Sequence, residues 1–147
     1  MENKVMIKSI KNNKKLKSVK LPNRLVTLGG GAFENCESLK VFEIPEDVEQ
    51  IGPQTFYACS GLEKVIIPDS VIEISDRAFW ACTSLNDVVL PEYLEKLGAY
   101  VFAECTSLTS IVIPEFIVDS STFLPSLLSV FATSIFLISL LPIEKCS

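Results

Sequence analysis

A 23-residue period is the feature that most restricts what this chain can fold into. Prolines recur at Pro22, Pro45, Pro68, Pro91 and Pro114, and phenylalanines at Phe33, Phe56, Phe79 and Phe102. Cysteines keep phase at Cys36, Cys59, Cys82 and Cys105, each followed at a fixed interval by Leu39, Leu62, Leu85 and Leu108. Self-similarity at such a period signals stacked coils, each burying its apolar face against its neighbours alone. Four full turns occupy 22–44, 45–67, 68–90 and 91–113, more than the roughly three that a solenoid needs. The expected organisation is therefore a repeat domain over 22–114, a degenerate basic first repeat over 1–21 and an apolar tail over 115–147. In the first repeat Leu16, Val19 and Leu21 fit the strand columns, while Ile10 and Asn13 stand in the phenylalanine and cysteine columns.

Within one coil, Leu39-Lys40-Val41-Phe42-Glu43-Ile44-Pro45 reads as a short strand. Alternation sends Phe42 and Ile44 inward and Glu43 outward, and the proline sits at the strand's end, where its missing N–H breaks no hydrogen-bond ladder. A second apolar pair follows, such as Val48 and Ile51, and then Gly29, Gly52 or Gly98 supplies a bend, with Ser75 replacing it once. The segment Phe-x-x-Cys-x-x-Leu places an apolar residue at every third position, a spacing suited to a short helical or 3₁₀ turn. The predicted fold is a repeat solenoid with one short parallel β-strand per coil and short helical, 3₁₀ or extended returns. Stacking at ~4.8 Å turns each column into a buried ladder.

The consensus Ile-Pro-x-x-Val-x-x-Ile-Gly-x-x-x-Phe-x-x-Cys-x-x-Leu-x-x-Val-x-Ile, clear over 16–114 and weaker over 5–15, resembles the BspA-like leucine-rich repeats. That resemblance implies a leucine-rich-repeat solenoid and surface proteins of bacteria and parasitic protists that mediate adhesion or bind host proteins. The family has no diagnostic binding residues, so none is carried over.

The residues themselves argue against catalysis and metal binding. There is no histidine, so no Ser-His or Cys-His dyad can form. Gly29-Gly30-Gly31 lacks the later glycine or lysine of a phosphate loop and reads as a bend. Cysteines spaced a full repeat apart lack the close pairs typical of zinc, and small thiols suit a crowded interior column. The phenylalanine column reads as core, and Glu46 and Asp47 as solvated loop charge. No enzyme activity, cofactor or metal is expected. From position 21 onward there are six basic and seventeen acidic side chains, which opposes nucleic-acid binding by the main body. The seven lysines before position 21 are read as a solvated capping coil, with anion attraction as the alternative. The first 20 residues contain no continuous apolar run of the secretory-signal kind.

The exposed column that can recognise a partner is the outward strand position: Lys20, Glu43, Ile66, Val89 and Val112. Ile66, Val89 and Val112 form an apolar stripe flanked by Lys64, Asp87 and Ser110, the kind of rimmed patch that marks protein-binding surfaces. The bland reading is that β-branched residues simply favour strands. The expected role is protein recognition or surface adhesion, against a soluble intracellular scaffold or a fragment of a longer array.

The tail leaves the 23-residue frame, with Ser120 and Pro125 where an apolar residue and a phenylalanine are due. Ser120 to Ile143 are 24 consecutive uncharged residues, enough as a helix of ~36 Å to cross a ~30 Å hydrocarbon core. Pro125 and Pro142 confine an unbroken helix to 126–141, so the tail is expected to anchor the chain in a membrane through 120–143, to dock on the last coil as a cap, or to be an accidental or truncated continuation of a longer repeat array.

Overall fold

The computed structural model describes residues 5–7, 9–114, 117 and 137–140. Among the described residues ten short strands run in chain order: β1 Val5–Ile7, β2 Leu25–Leu28, β3 Val41–Glu43, β4 Gln50–Ile51, β5 Lys64–Ile66, β6 Glu73–Ile74, β7 Asp87–Val88, β8 Lys96–Leu97, β9 Ser110–Ile113 and β10 Leu137–Leu140. All pairings are parallel, in the orders β1-β2-β4-β6-β8, β3-β5-β7 and β10-β9. The chain is thus a leucine-rich-repeat solenoid. Its central coils carry a strand on each of two faces, because the column Leu28, Ile51, Ile74 and Leu97, expected among the extended returns, pairs from coil to coil. Those strands are mostly too short to show alternation in the sequence.

Between the faces the chain makes turns, not helix. In Phe-x-x-Cys-x-x-Leu the Cys36 N–H donates to Phe33 and the Leu39 N–H to Cys36, as i→i+3 bonds that recur in the later coils. Continuation into helix is blocked by left-handed residues at fixed places: Gly31, Gln54, Arg77 and Tyr100 in one column, and Asn12, Asn35, Ala58, Ala81 and Glu104 in another, all with φ between 54° and 63°. For a residue with a Cβ that conformation costs ~1–2 kcal/mol. It is kept because it lets alternate N–H groups face the next coil. Those of Phe33, Asn35, Phe56, Ala58, Phe79 and Ala81 donate to the carbonyls of Thr55, Tyr57, Ala78, Trp80, Val101 and Ala103 respectively. The first coil joins this system through Ile10 and Asn12, although Ile7 pairs with Leu28, so this coil bridges the bend with a shorter segment.

The core is the set of columns. Phe33, Phe56, Phe79 and Phe102 stack with centroids 5.4, 5.1 and 5.5 Å apart and planes within 11°, and Phe42 meets Phe33 and Phe56 edge-on. Beside them, the Cys59, Cys82 and Cys105 thiols donate to the carbonyls of Phe33, Phe56 and Phe79 at 3.0 to 3.1 Å. Burial pushes the Cys59 pKa from 9.0 up to about 12 and raises that of Cys82 well above its ordinary range. The cysteine column therefore supplies protonated donors to buried carbonyls as well as small apolar volume.

The glycine column has a different cause from the bend expected of it. Gly52 and Gly98 do not have positive φ. Instead, a Cβ on Gly52 would lie 2.7 Å from the Leu28 carbonyl oxygen, and one on Gly98 2.5 Å from the Asp76 nitrogen. Close approach of successive coils is what excludes side chains here.

The tail requires a correction. Leu137–Leu140 are a parallel strand in register with Ser110–Ile113, so the helix expected over 126–141 does not run through them. In register, Ile138 stands opposite Ile111 and Leu140 opposite Ile113, both of which are buried. Among the described residues no helix is long and apolar enough to cross a membrane. The remainder of 120–143 lies outside the described residues.

The packing can be tested at two positions. Gly52→Ala should destabilise the chain by about 2 kcal/mol or more, read as a lower denaturant midpoint, because its neighbour is backbone and cannot yield cheaply. In the folded chain Cys59 holds its proton above the pH at which the unfolded thiol ionises. Stability should accordingly be complete below pH 9.0 and fall between there and about 12, by ~1.4 kcal/mol per pH unit from Cys59 alone. Urea melts at stepped pH should show this slope, and Cys59→Ser should reduce it.

Candidate functional site

The strand face is built by β3, β5 and β7 and, beyond a break in the ladder, by β9. Register places Val41, Lys64 and Asp87 side by side, then Phe42, Val65 and Val88, then Glu43 and Ile66. Pleating turns the middle row inward, where Phe42 and Val65 are buried, and the outer rows to solvent. Ile66, Val89 and Val112 are 43%, 73% and 49% exposed. Val89 lies just past the end of β7, and the stripe spans the break between β7 and β9.

The flanking residues do not act independently. Lys64 Nζ lies 2.6 Å from Asp87 Oδ2, and one row earlier Lys40 Nζ lies 2.6 Å from Glu63 Oε1. Each pair bridges neighbouring coils, its members one full repeat apart. The rim thus offers paired charge rather than a basic or acidic field. Ser110 opens β9 and is exposed. Of the outward column, Lys20 and Glu43 are also exposed, at the first-coil end of the face.

One residue of this face was not expected from the sequence. Val41 is 53% exposed and shares a row with Lys64 and Asp87, so the apolar surface begins one coil earlier than the stripe of three suggests. The signal was present, because Val41 occupies the column of Lys64, Asp87 and Ser110, whose other members are polar.

This face stands open to solvent. It offers β-branched apolar side chains between fixed ion pairs, on backbone held by parallel pairing.

Comparison with known proteins agrees with the architecture. The BspA type leucine rich repeat region, in six copies, matches residues 5–127. Among solved structures, the leucine rich repeat protein of T. pallidum is 35% identical, over 63% of this chain and 44% of its own, with a TM-score of 0.62. A leucine rich cell surface protein from Faecalibacterium prausnitzii is 28% identical over 67% of this chain and 26% of its own, at a TM-score of 0.58. The pneumococcal vaccine antigen PcpA is 27% identical over 79% of this chain and 29% of its own, at 0.72. The chain spans less than half the length of each of these structures. A search of curated proteins finds no match.

The rim pairs are exposed, so a double-mutant cycle with Lys64→Gln and Asp87→Asn should give a coupling below ~1 kcal/mol that disappears in molar salt. Thermal melts of the four variants check it.

Proposed function

Since this chain belongs to the BspA-type leucine-rich-repeat family, we propose that it is a non-enzymatic recognition module whose strand face binds a protein partner. The observation that carries this reading is the exposed apolar stripe of Ile66, Val89 and Val112, with Val41 exposed in the adjoining row, on a sheet face whose inward row is committed to core. An apolar patch rimmed by polar groups favours burial against a complementary surface. The paired rim charges allow a partner to approach without a strong field of either sign. Display at a cell surface belongs to the same proposal, supported by the relatives described as a cell surface protein and a vaccine antigen.

The test is surface plasmon resonance of the chain against purified extracellular-matrix proteins, beside the double variant Ile66→Asp with Val89→Asp. At least one matrix protein should be bound, and the double variant should bind it at least ten times more weakly while keeping its circular-dichroism spectrum. Equal binding by the folded double variant would place the site elsewhere. Failure of the parent chain to bind any member of the panel would remove adhesion to matrix proteins from the reading.

A further inference from the structure

A second exposed cluster lies on the turn segments, apart from the strand face. Gln54, Tyr57, Arg77, Trp80 and Tyr100, drawn from three coils, line a cleft of about 400 Å³. They belong to two neighbouring columns, joined by turn bonds from the Tyr57 N–H to Gln54 and from the Trp80 N–H to Arg77. The Tyr57 and Trp80 rings stack at 4.6 Å with planes 21° apart. The Arg77 guanidinium lies over the Tyr100 ring, 5.8 Å from its centroid. On the following coil the position equivalent to Trp80 is Ala103, a methyl in place of a ring.

The repeat does not require these residues. From the second coil on, the phenylalanine and cysteine columns that hold the coils together are uniform. The column of Tyr57 and Trp80 instead holds Lys11, Glu34 and Ala103 in other coils. Its aromatic members are half-buried, while Tyr100 is 41% exposed. Four groups with flat faces therefore gather where the fold itself asks for none.

The lining defines the ligand's chemistry. The outer faces of the Tyr57–Trp80 stack offer flat apolar contact, Arg77 offers a planar fork of donors, and Gln54 an amide. Among the described residues no carboxylate lines the cleft, although acids outnumber bases seventeen to six from position 21 onward. The ligand accordingly presents one apolar ring face and an anionic oxygen group. An extended peptide cannot add as a strand through the N–H groups of Gln54, Phe56, Arg77 and Phe79, which already donate to the next coil. The volume falls in the range of small-ligand sites.

We propose that this cleft binds a carboxylated sugar residue, its ring laid against the aromatic surface and its carboxylate paired with Arg77. The site is separate from the strand face and stands or falls without it.

Trp80 is the only tryptophan, so its emission reports on this cleft alone. The full chain is titrated with N-acetylneuraminic acid and a glucuronate-containing disaccharide, with a glucose disaccharide as the neutral control and a short acidic peptide as the competing class. At least one acidic sugar should give a saturable change in emission, with affinity at least fivefold above that of the neutral sugar. Arg77→Gln should remove that preference and leave the melting temperature near that of the parent, because the side chain is exposed. Tyr57→Ala should weaken binding at least fivefold. Ile66→Asp with Val89→Asp should change nothing. No saturable response to either acidic sugar, an undiminished preference in Arg77→Gln, or a response to the peptide alone would each overturn the proposal. The comparison of acidic with neutral sugar on the unaltered chain keeps the test decisive even where a variant folds poorly.

Discussion

Everything in this molecule follows from the need of buried turn backbone to find hydrogen-bond partners on the adjacent coil. Turns inside a helix or hairpin satisfy themselves, whereas a stack of turns leaves alternate N–H groups pointing along the stack, where water is excluded. The chain meets that demand by making each coil the template for the next. Phe33 donates to Thr55, Phe56 to Ala78 and Phe79 to Val101, in every case to the residue just before the donor's own equivalent in the next coil. A change of length within these turns would move the donors off their carbonyls, whereas the first coil is shorter only at the bend and keeps the bonds of Ile10 and Asn12. The constancy of the period is thus a consequence of hydrogen bonding, and the aromatic stack benefits from the register this sets.

The same demand explains features that look unfavourable one at a time. Ala58 and Ala81 accept left-handed backbone because the alternative is an unpaired donor. Gly52 and Gly98 give up a side chain because the coils must approach closely enough to bond. The thiols of Cys59, Cys82 and Cys105 serve carbonyls of the preceding coil, a role that a methyl of similar size could not fill. Surface groups repeat the logic at lower stakes, with Lys40–Glu63 and Lys64–Asp87 joining coils on the outside.

How much of this could be read from the sequence depended on whether a residue repeats. Columns that recur, from Phe33 to Phe102 and Cys36 to Cys105, disclosed the solenoid, the inward residues and the outward stripe. The second strand face was overlooked because Gln50–Ile51 and Lys96–Leu97 are too short to alternate. The tail misled because its period changes. Leu137–Leu140 pair with Ser110–Ile113 at a longer interval than the repeat, and four apolar-rich residues fit a helical pattern as readily as a strand. The aromatic cleft went unnoticed for the opposite reason. Periodic reading discards positions that vary, and Tyr57, Trp80, Arg77 and Tyr100 are informative because they vary.

The parallel stacking has a mechanical side as well. Each coil is held to its neighbours by bonds that lie along the stacking axis, and none of the described bonds reaches past the adjacent coil. Tension applied between the two ends loads those bonds directly and in series. Such a body yields at its weakest junction first, and each 23-residue coil released adds ~80 Å of slack chain. Under such a load the stack would lengthen in steps while the coils still stacked kept their surfaces intact.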